Sequence, residues 1–391
     1  MPTWVVHSHS MRLLDIRAEL SRRRWLSLLA GILLPARWFH GEPVIGAVQS
    51  AKPPSAVDTV DVNRAAVSTS FESVEKTITP ADQFFARSHH EEPKLSMADW
   101  KLRIEGRVET PQDLTFSDLI ESPTRTLEAV LECAGNRGFL VSNGRWEGVS
   151  LAYLLKRAGL NSGASQLLFE GSDEGRLMEG RPSCAYARLV PLTKCLSSES
   201  IVAFKLNGHF LPPRNGFPAR AFLPGWYGMD SVKWLRRIVV LGDLDQPETF
   251  YSSGMHLLYN RWVREGGQER ITSRVSEILV RSVIAFPGNG TNLAAGRYVV
   301  WGFAWTGKGL VQAVEISTDG GTNWKSAELK SSPVPFAWVR WTFDWVAEPG
   351  SHVLLARARE ESGTSQPITR DPSRLDGYEC NWSEPTKCAV V

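Results

Sequence analysis

Residues 126–140, TLEAVLECAGNRGFL, run apolar through Leu127, Val130 and Leu131 and then present Cys133 at the edge of a small polar turn. A thiol at the lip of a hydrophobic element, beside Gly135 and Arg137, sits where its thiolate is usable as a nucleophile or a metal ligand. Five cysteines stand at 133, 184, 195, 380 and 388. None forms a Cys-x-x-Cys pair, so neither a structural zinc site nor a thioredoxin-like motif is indicated. The odd count leaves at least one thiol outside any intramolecular disulfide. Cys184 with Cys195, or Cys380 with Cys388, would close short loops; small buried apolar residues are the other reading of those four.

The elements that must position Cys133 read as two regions. In the first, WKLRIEGRV alternates like a strand, residues 114–120 suit a short helix, and the cysteine turn follows a strand. Residues 150–160 put Leu151, Leu154, Leu155 and Ala158 on one helical face, with Gly159 as the stop. QLLFEG and IVAFKLNG read as short buried strands. From Ser273 the periodicity changes to strand-like runs (SEILVRSVI, GRYVVWGFAW, LVQAVEIS, FAWVRWTFDW, SHVLLARARE) joined by Gly-, Asp- and Asn-rich turns. Asp319-Gly320-Gly321-Thr322-Asn323 is the clearest hairpin. Several strands at this spacing predict an antiparallel sandwich of immunoglobulin type. The late tryptophans, Trp301, Trp305, Trp324, Trp338, Trp341 and Trp345, fit a β-rich second half.

A chain of 391 residues with 42% hydrophobic and 22% charged residues is globular and long enough for two domains. Its net charge of +2 argues against nucleic acid as a partner. The segment SRRRWLSLLAGILL from Ser21 sets paired arginines before an apolar run, which reads as a secretion signal too short for a membrane span. Its order is similar to the twin-arginine export signature, which serves folded, cofactor-loaded proteins; an amphipathic helix with a basic edge is the alternative. The expected organisation is signal and linker over 1–65, an α+β domain over 66–245 and the sandwich over 246–391. The expected localisation is periplasmic or otherwise exported.

Four motifs in order carry a family resemblance: FFARSHH at 84–90, CAGNRG at 133–138, NGHFLPPRNGFPARAFLPGWYG at 207–228 and SVKWLRRI at 231–238. With GFAWTG and VEISTDGGTNW in the second region, they resemble the sulfite oxidase family of molybdopterin-dependent oxidoreductases, in its exported, sulfite or sulfane dehydrogenase-like form. The resemblance implies a mixed α/β molybdopterin-binding domain followed by an immunoglobulin-like dimerisation domain.

It further implies that Cys133 is the molybdenum ligand, a soft anionic sulfur suited to a metal that changes oxidation state. The molybdopterin bed would be Arg87, Ser88 and His89, then Asp173, Asn215 and Arg220, then Ser231, Val232 and Lys233. Arg220 as a bidentate fork and Lys233 as a point charge suit the cofactor phosphate, while Asp173 would accept from pterin N–H groups or be an ordinary turn aspartate. Arg87 would face the substrate oxyanion. Arg137 would be a structural partner in the cysteine loop. The active-site tyrosine is Tyr259 or, second, Tyr251.

The implied activity is oxidation of a small sulfur oxyanion, sulfite first. Electrons would pass to an external acceptor such as a c-type cytochrome, because the sequence carries no Cys-x-x-Cys-His or flavin motif. A homodimer through the second domain would follow. Three positions depart from the family's usual residues: Ser88 for Asn, Asn215 for His and Gly138 for Arg. Gly138 removes a charge near the metal loop and weakens the case for sulfite. A related molybdenum reductase, a sulfane-type dehydrogenase and a non-catalytic relative are the alternatives.

Overall fold

The structure, a computed structural model, describes residues 77–138 and 140–391. The paired arginines, the apolar run and the linker lie outside the described residues.

Two sheets frame the first region. One runs in the order Gln112–Thr115, Lys101–Gly106, Leu235–Leu241, Gln166–Gly175, Cys184–Pro191, with Lys101–Gly106 parallel to Leu235–Leu241. The other orders Thr124–Glu132, Val141–Ser150, Ile201–Leu206 and His209–Phe210, with Arg220–Phe222 added on Ile201–Leu206. This second sheet is covered on both faces. Ala129, Leu131, Ile201 and Ala203 enter one apolar cluster, while Val130, Val202 and Phe204 enter another. A strand buried on both sides reads as an unbroken apolar run, which is why IVAFKL shows no alternation.

Helices are few and short. Phe116–Glu121 is capped by Thr115 and Asp118 in a reciprocal capping box. Leu151–Ala158 buries Leu151, Leu154, Leu155 and Ala158, as the spacing predicts, and Gly159 ends it at φ +70°. Among the described residues, no helix is long and apolar enough to cross a membrane.

The C-terminal region is a two-sheet β-sandwich. One sheet orders Arg281–Phe286, Gly296–Trp305, Val339–Ala347 and Glu328–Leu329; the other orders Thr291–Leu293, Thr386–Val390, Gly350–Glu360, Val311–Ser317 and Lys325–Ser326. The turn at 319–323 joins antiparallel strands, with Asp319 accepting from the Thr322 and Asn323 N–H groups at 3.1 and 2.9 Å. Phe303, Trp305 and Trp338 belong to the same apolar cluster as Leu102, Leu155 and Ile238, so the two regions share one core.

One sequence expectation changes, and the open reading of the cysteines is decided. SEILVRSVI becomes regular strand only from Arg281, because the backbone of Ser276 and Ile278 instead bonds Tyr227, Gly225 and Gly307. All five cysteines are free, and Cys184, Cys195, Cys380 and Cys388 are buried. The strand Cys184–Pro191 separates Cys184 from Cys195 by roughly 20 Å at ~3.3 Å per residue, far beyond disulfide reach. Cys388 packs inside the sandwich, whereas Cys380 bonds Gly377 O and faces Arg137. The four behave as small buried residues.

Candidate active site

Cys133 is the first residue after the strand Thr124–Glu132, in the connection that returns at Val141. Its N–H bonds Leu140 O at 2.9 Å and its carbonyl accepts from Asn136 N at 2.9 Å, which closes the turn. The thiol lines a partly open cavity shared with Arg87, Asn215, Lys233 and Tyr259. Burial pushes the Cys133 thiol above its ordinary range, opposed chiefly by the charge of Arg87.

The loop 84–90 delivers Arg87, Ser88 and His89 to the same cavity. Two buried rings anchor it. Phe84 meets Trp146 edge-on at 5.4 Å, and Phe85 N–H bonds Ser142 Oγ at 3.0 Å. Asn215 then donates to Phe85 O at 3.1 Å, tying this loop to the turn Pro213–Asn215.

Arg220, Ser231, Val232 and Lys233 line the opposite wall. Arg220 is 2% exposed and donates to Asn215 O at 2.9 Å and Ser231 O at 2.6 Å, with Trp146 5.5 Å away. Ser231 Oγ accepts from Leu223 N–H at 3.0 Å. Lys233 Nζ reaches Ser88 Oγ and, at 3.0 Å, Arg214 O, and sits 4.0 Å over the Trp234 ring. Desolvation lowers both cations, Lys233 to about 7.

Asp173 is no solvated turn residue. It lies 4% exposed in Gln166–Gly175, where the pairing with Cys184–Pro191 slips between Glu170 and Glu174. Burial raises its carboxyl to about 6, and Oδ1 has no partner. Gly171 makes this approach possible: a Cβ there would fall 2.5 Å from Asp173 Oδ1 and 2.8 Å from Lys233 O.

Of the two candidate tyrosines, Tyr259 lines the cavity and Tyr251 packs instead on Phe250 and His256. Tyr259 adopts φ +58°, a conformation uncommon outside glycine. Its Oη lies 2.9 Å from His89 Nε2, and Arg188 sits 5.0 Å from its ring. His89 stacks on Tyr186 at 4.8 Å, and burial drops its pKa to about 3. The histidine is neutral throughout the physiological range.

The cavity therefore gathers a thiol, a guanidinium, two further cations and two unsatisfied acceptors. The profile of the oxidoreductase molybdopterin binding domain matches residues 89–249, and that of the Mo-co oxidoreductase dimerisation domain matches 272–378. Sulfite oxidase from Gallus gallus is 30% identical over 326 residues, covering 76% of this chain and 70% of its own length. The chain belongs to the sulfite oxidase family of molybdopterin oxidoreductases. The family is shared with enzymes of other activity: a NADH nitrate reductase from Brassica napus is 30% identical over 333 residues, covering 74% of this chain but 36% of its own length. Among solved structures, the sulfane dehydrogenase SoxCD from Paracoccus pantotrophus superposes with a TM-score of 0.72 at 27% identity, covering 91% of this chain and 92% of that one.

The cavity fits the family's molybdenum cofactor on physical grounds. Among the described residues, neither Arg220, which is buried, nor Lys233, which is half-buried near Asp173, hydrogen-bonds a carboxylate, so both can donate to an anion such as the cofactor phosphate. Asp173 Oδ1 and Asn215 Oδ1 are buried acceptors without donors, suited to ring N–H groups. Among the described residues no three His, Cys, Asp or Glu side chains converge as a metal site.

The sequence reading missed several residues at this site. Tyr186 and Arg188 alternate on one face of Cys184–Pro191 and support His89 and Tyr259; a tyrosine and an arginine two apart in a strand was the available signal. Arg188 is itself held by Asp230 at 2.9 Å, with Arg274 on the same carboxylate oxygen. Tyr378, from the sandwich region, packs 5.1 Å from Tyr259 and carries no local signal. Arg137 is exposed and turned toward Cys380 rather than into the cavity. Gly138 has φ +137° with open space around its Cβ position.

Proposed function

We propose that the protein oxidises the sulfur of a small anion, sulfite in the first instance, at molybdenum held by Cys133. The observation that carries this reading is that Arg87 lines the same cavity as the Cys133 thiol, its charge acting on that sulfur. When bound, the cofactor supplies oxygen-atom transfer and accepts two electrons. Cys133 contributes a soft anionic ligand. Arg87 offers a charge-assisted donor to an anion in a site where water is scarce. Tyr259 and His89 hold a hydrogen bond between neutral groups at the wall. Arg220, Lys233, Ser231, Asp173 and Asn215 bind the cofactor tail.

A second reading, oxidation of sulfane sulfur, is favoured by Gly138 and Arg137. Where the family usually has arginine, Gly138 has none to offer, and Arg137 turns to Cys380, which leaves Arg87 as the cation whose charge acts on the Cys133 sulfur. A doubly charged small anion is then less well neutralised than a larger, charge-diluted one. Steady-state kcat/KM for sulfite and thiosulfate with a c-type cytochrome as acceptor separates the two readings. A clear sulfite preference supports the first, a thiosulfate preference the second, and turnover of neither removes both.

The electron acceptor is inferred to be external, a c-type cytochrome, and the sandwich to form a homodimer. Export by the twin-arginine route rests on residues 21–34. Replacing Arg22 and Arg23 by Lys keeps the charge and should retain folded, cofactor-loaded protein in the cytoplasm. Unchanged periplasmic accumulation would exclude that route.

A further inference from the structure

The cysteine loop is braced from the other region of the chain. Glu132, which precedes Cys133, is 2% exposed. Its Oε1 accepts from Asn136 Nδ2 at 3.0 Å and Arg281 Nη1 at 3.3 Å, and its Oε2 accepts from Trp305 Nε1 at 2.8 Å. Arg281 Nη1 also donates to Asn136 O at 3.0 Å. Asn136 in turn accepts from Gly138 N and Leu140 N at 3.0 and 2.9 Å, which shapes the turn around Cys133.

Arg281 and Trp305 are direct cross-strand partners in the sandwich, with the guanidinium 5.9 Å from the indole ring. One cross-strand pair thus aims two donors at one carboxylate. A second strut comes from the C-terminal segment. Glu379 N–H bonds Ala134 O at 2.8 Å, and the Glu379 carboxylate is fixed by Arg261 at 2.8 Å and Arg374 at 2.9 Å.

A buried ion pair is weak evidence for stability, since apolar replacements of similar volume often serve as well. Its geometry here serves something else: Arg281 Nη1 and Trp305 Nε1 both end on residues flanking Cys133, while Arg281 Nη2 reaches Glu384 Oε1 at 3.3 Å. We propose that Arg281 and Trp305 are positioning residues for the molybdenum ligand, so that the sandwich completes the metal site. This rests on the reading of Cys133 as that ligand.

The test uses the cofactor-loaded full-length protein. Trp305→Phe removes the N–H together with the pyrrole half of the indole and keeps one aromatic ring, so it tests the contact even if Arg281→Met fails to fold, with a thermal melt reporting the packing lost at this buried position. Arg281→Lys keeps the charge without the fork. X-ray absorption at the molybdenum edge, molybdenum per chain and kcat are measured, with Glu315→Gln, which breaks the Arg357 pair elsewhere in the sandwich, as a control. Positioning predicts an altered sulfur shell and a loss of molybdenum affinity or kcat of roughly ten-fold in Trp305→Phe. Arg281→Lys should fall between it and the wild type, and Glu315→Gln should be unchanged.

An unchanged molybdenum edge and kcat in Trp305→Phe and Arg281→Lys would overturn the proposal. So would a loss of thermal stability with the edge of the folded fraction unaltered, which is a purely structural role. If Cys133→Ser shows a wild-type edge, the underlying ligand assignment is wrong, a result no Arg281 or Trp305 variant can mimic.

Discussion

Tyr259 Oη lies 2.9 Å from His89 Nε2, and burial holds that imidazole near pKa 3 against an ordinary value of about 6.5. The pair is thus neutral above roughly pH 4, and kcat should show no imidazole limb between pH 5 and 8. Stability carries the opposite sign. The unfolded imidazole takes a proton that the folded one refuses, so stability falls as pH drops below about 6.5, by up to ~1.4 kcal/mol per unit. Denaturant titrations from pH 7 to 4 check this, with His89→Gln expected to flatten the slope; a kcat inflection near 6.5 that His89→Gln abolishes would contradict it.

Arg87 makes the sharpest prediction about substrate. Arg87→Met removes a charge-assisted contact worth about 1.5–3 kcal/mol, which corresponds to a roughly ten- to hundred-fold fall in kcat/KM for an anion. Molybdenum content should stay near normal, and Arg87→Lys should fall between. Loss of molybdenum from Arg87→Met would reassign this arginine to holding the cofactor.

Lys233 ties cofactor retention to pH. In the cofactor-free chain burial pulls its amine to about 7, and a bound phosphate would raise it. Binding then takes up a proton above pH 7, so cofactor affinity should fall with rising pH, by up to about ten-fold per unit. Reconstitution assays between pH 7 and 9 measure this. Lys233→Arg, always charged, should flatten the dependence, and an affinity that rises with pH would be incompatible with the assigned role.

Much of this site was legible because its residues come in contiguous motifs. Arg87, Ser88 and His89 arrive on one loop, and Ser231, Val232 and Lys233 on one strand entry, so naming the motif names the wall. The buried helix face of Leu151, Leu154, Leu155 and Ala158 was equally plain, because an amphipathic period needs no partner to be seen. What stayed hidden depends on tertiary distance. Glu132 and Arg281 are 149 positions apart and meet only because a sandwich strand packs against the cysteine hairpin. An arginine inside the apolar run LVRSVI was the one local sign. The cysteine pairing was open for a similar reason: loop length says that Cys184 and Cys195 are close in sequence, while the intervening extended strand sets them apart.

Cys133→Ser should fold, since serine is nearly isosteric, yet lose turnover because a hard alkoxide suits molybdenum poorly. Thermal melts and steady-state rates on the same preparation check both halves. Wild-type turnover in this variant would remove Cys133 from the metal.

Anaerobic mixing of the oxidised, molybdenum-loaded protein with one equivalent of sulfite, followed through the metal's absorbance, tests molybdenum-dependent sulfur oxidation most directly. The predicted result is two-electron reduction of the centre with release of sulfate from sulfite or, if sulfane sulfur is the substrate, two-electron reduction by thiosulfate with no sulfate released in the single turnover. A centre that stays oxidised with both anions, in protein carrying a full complement of molybdenum, would contradict it.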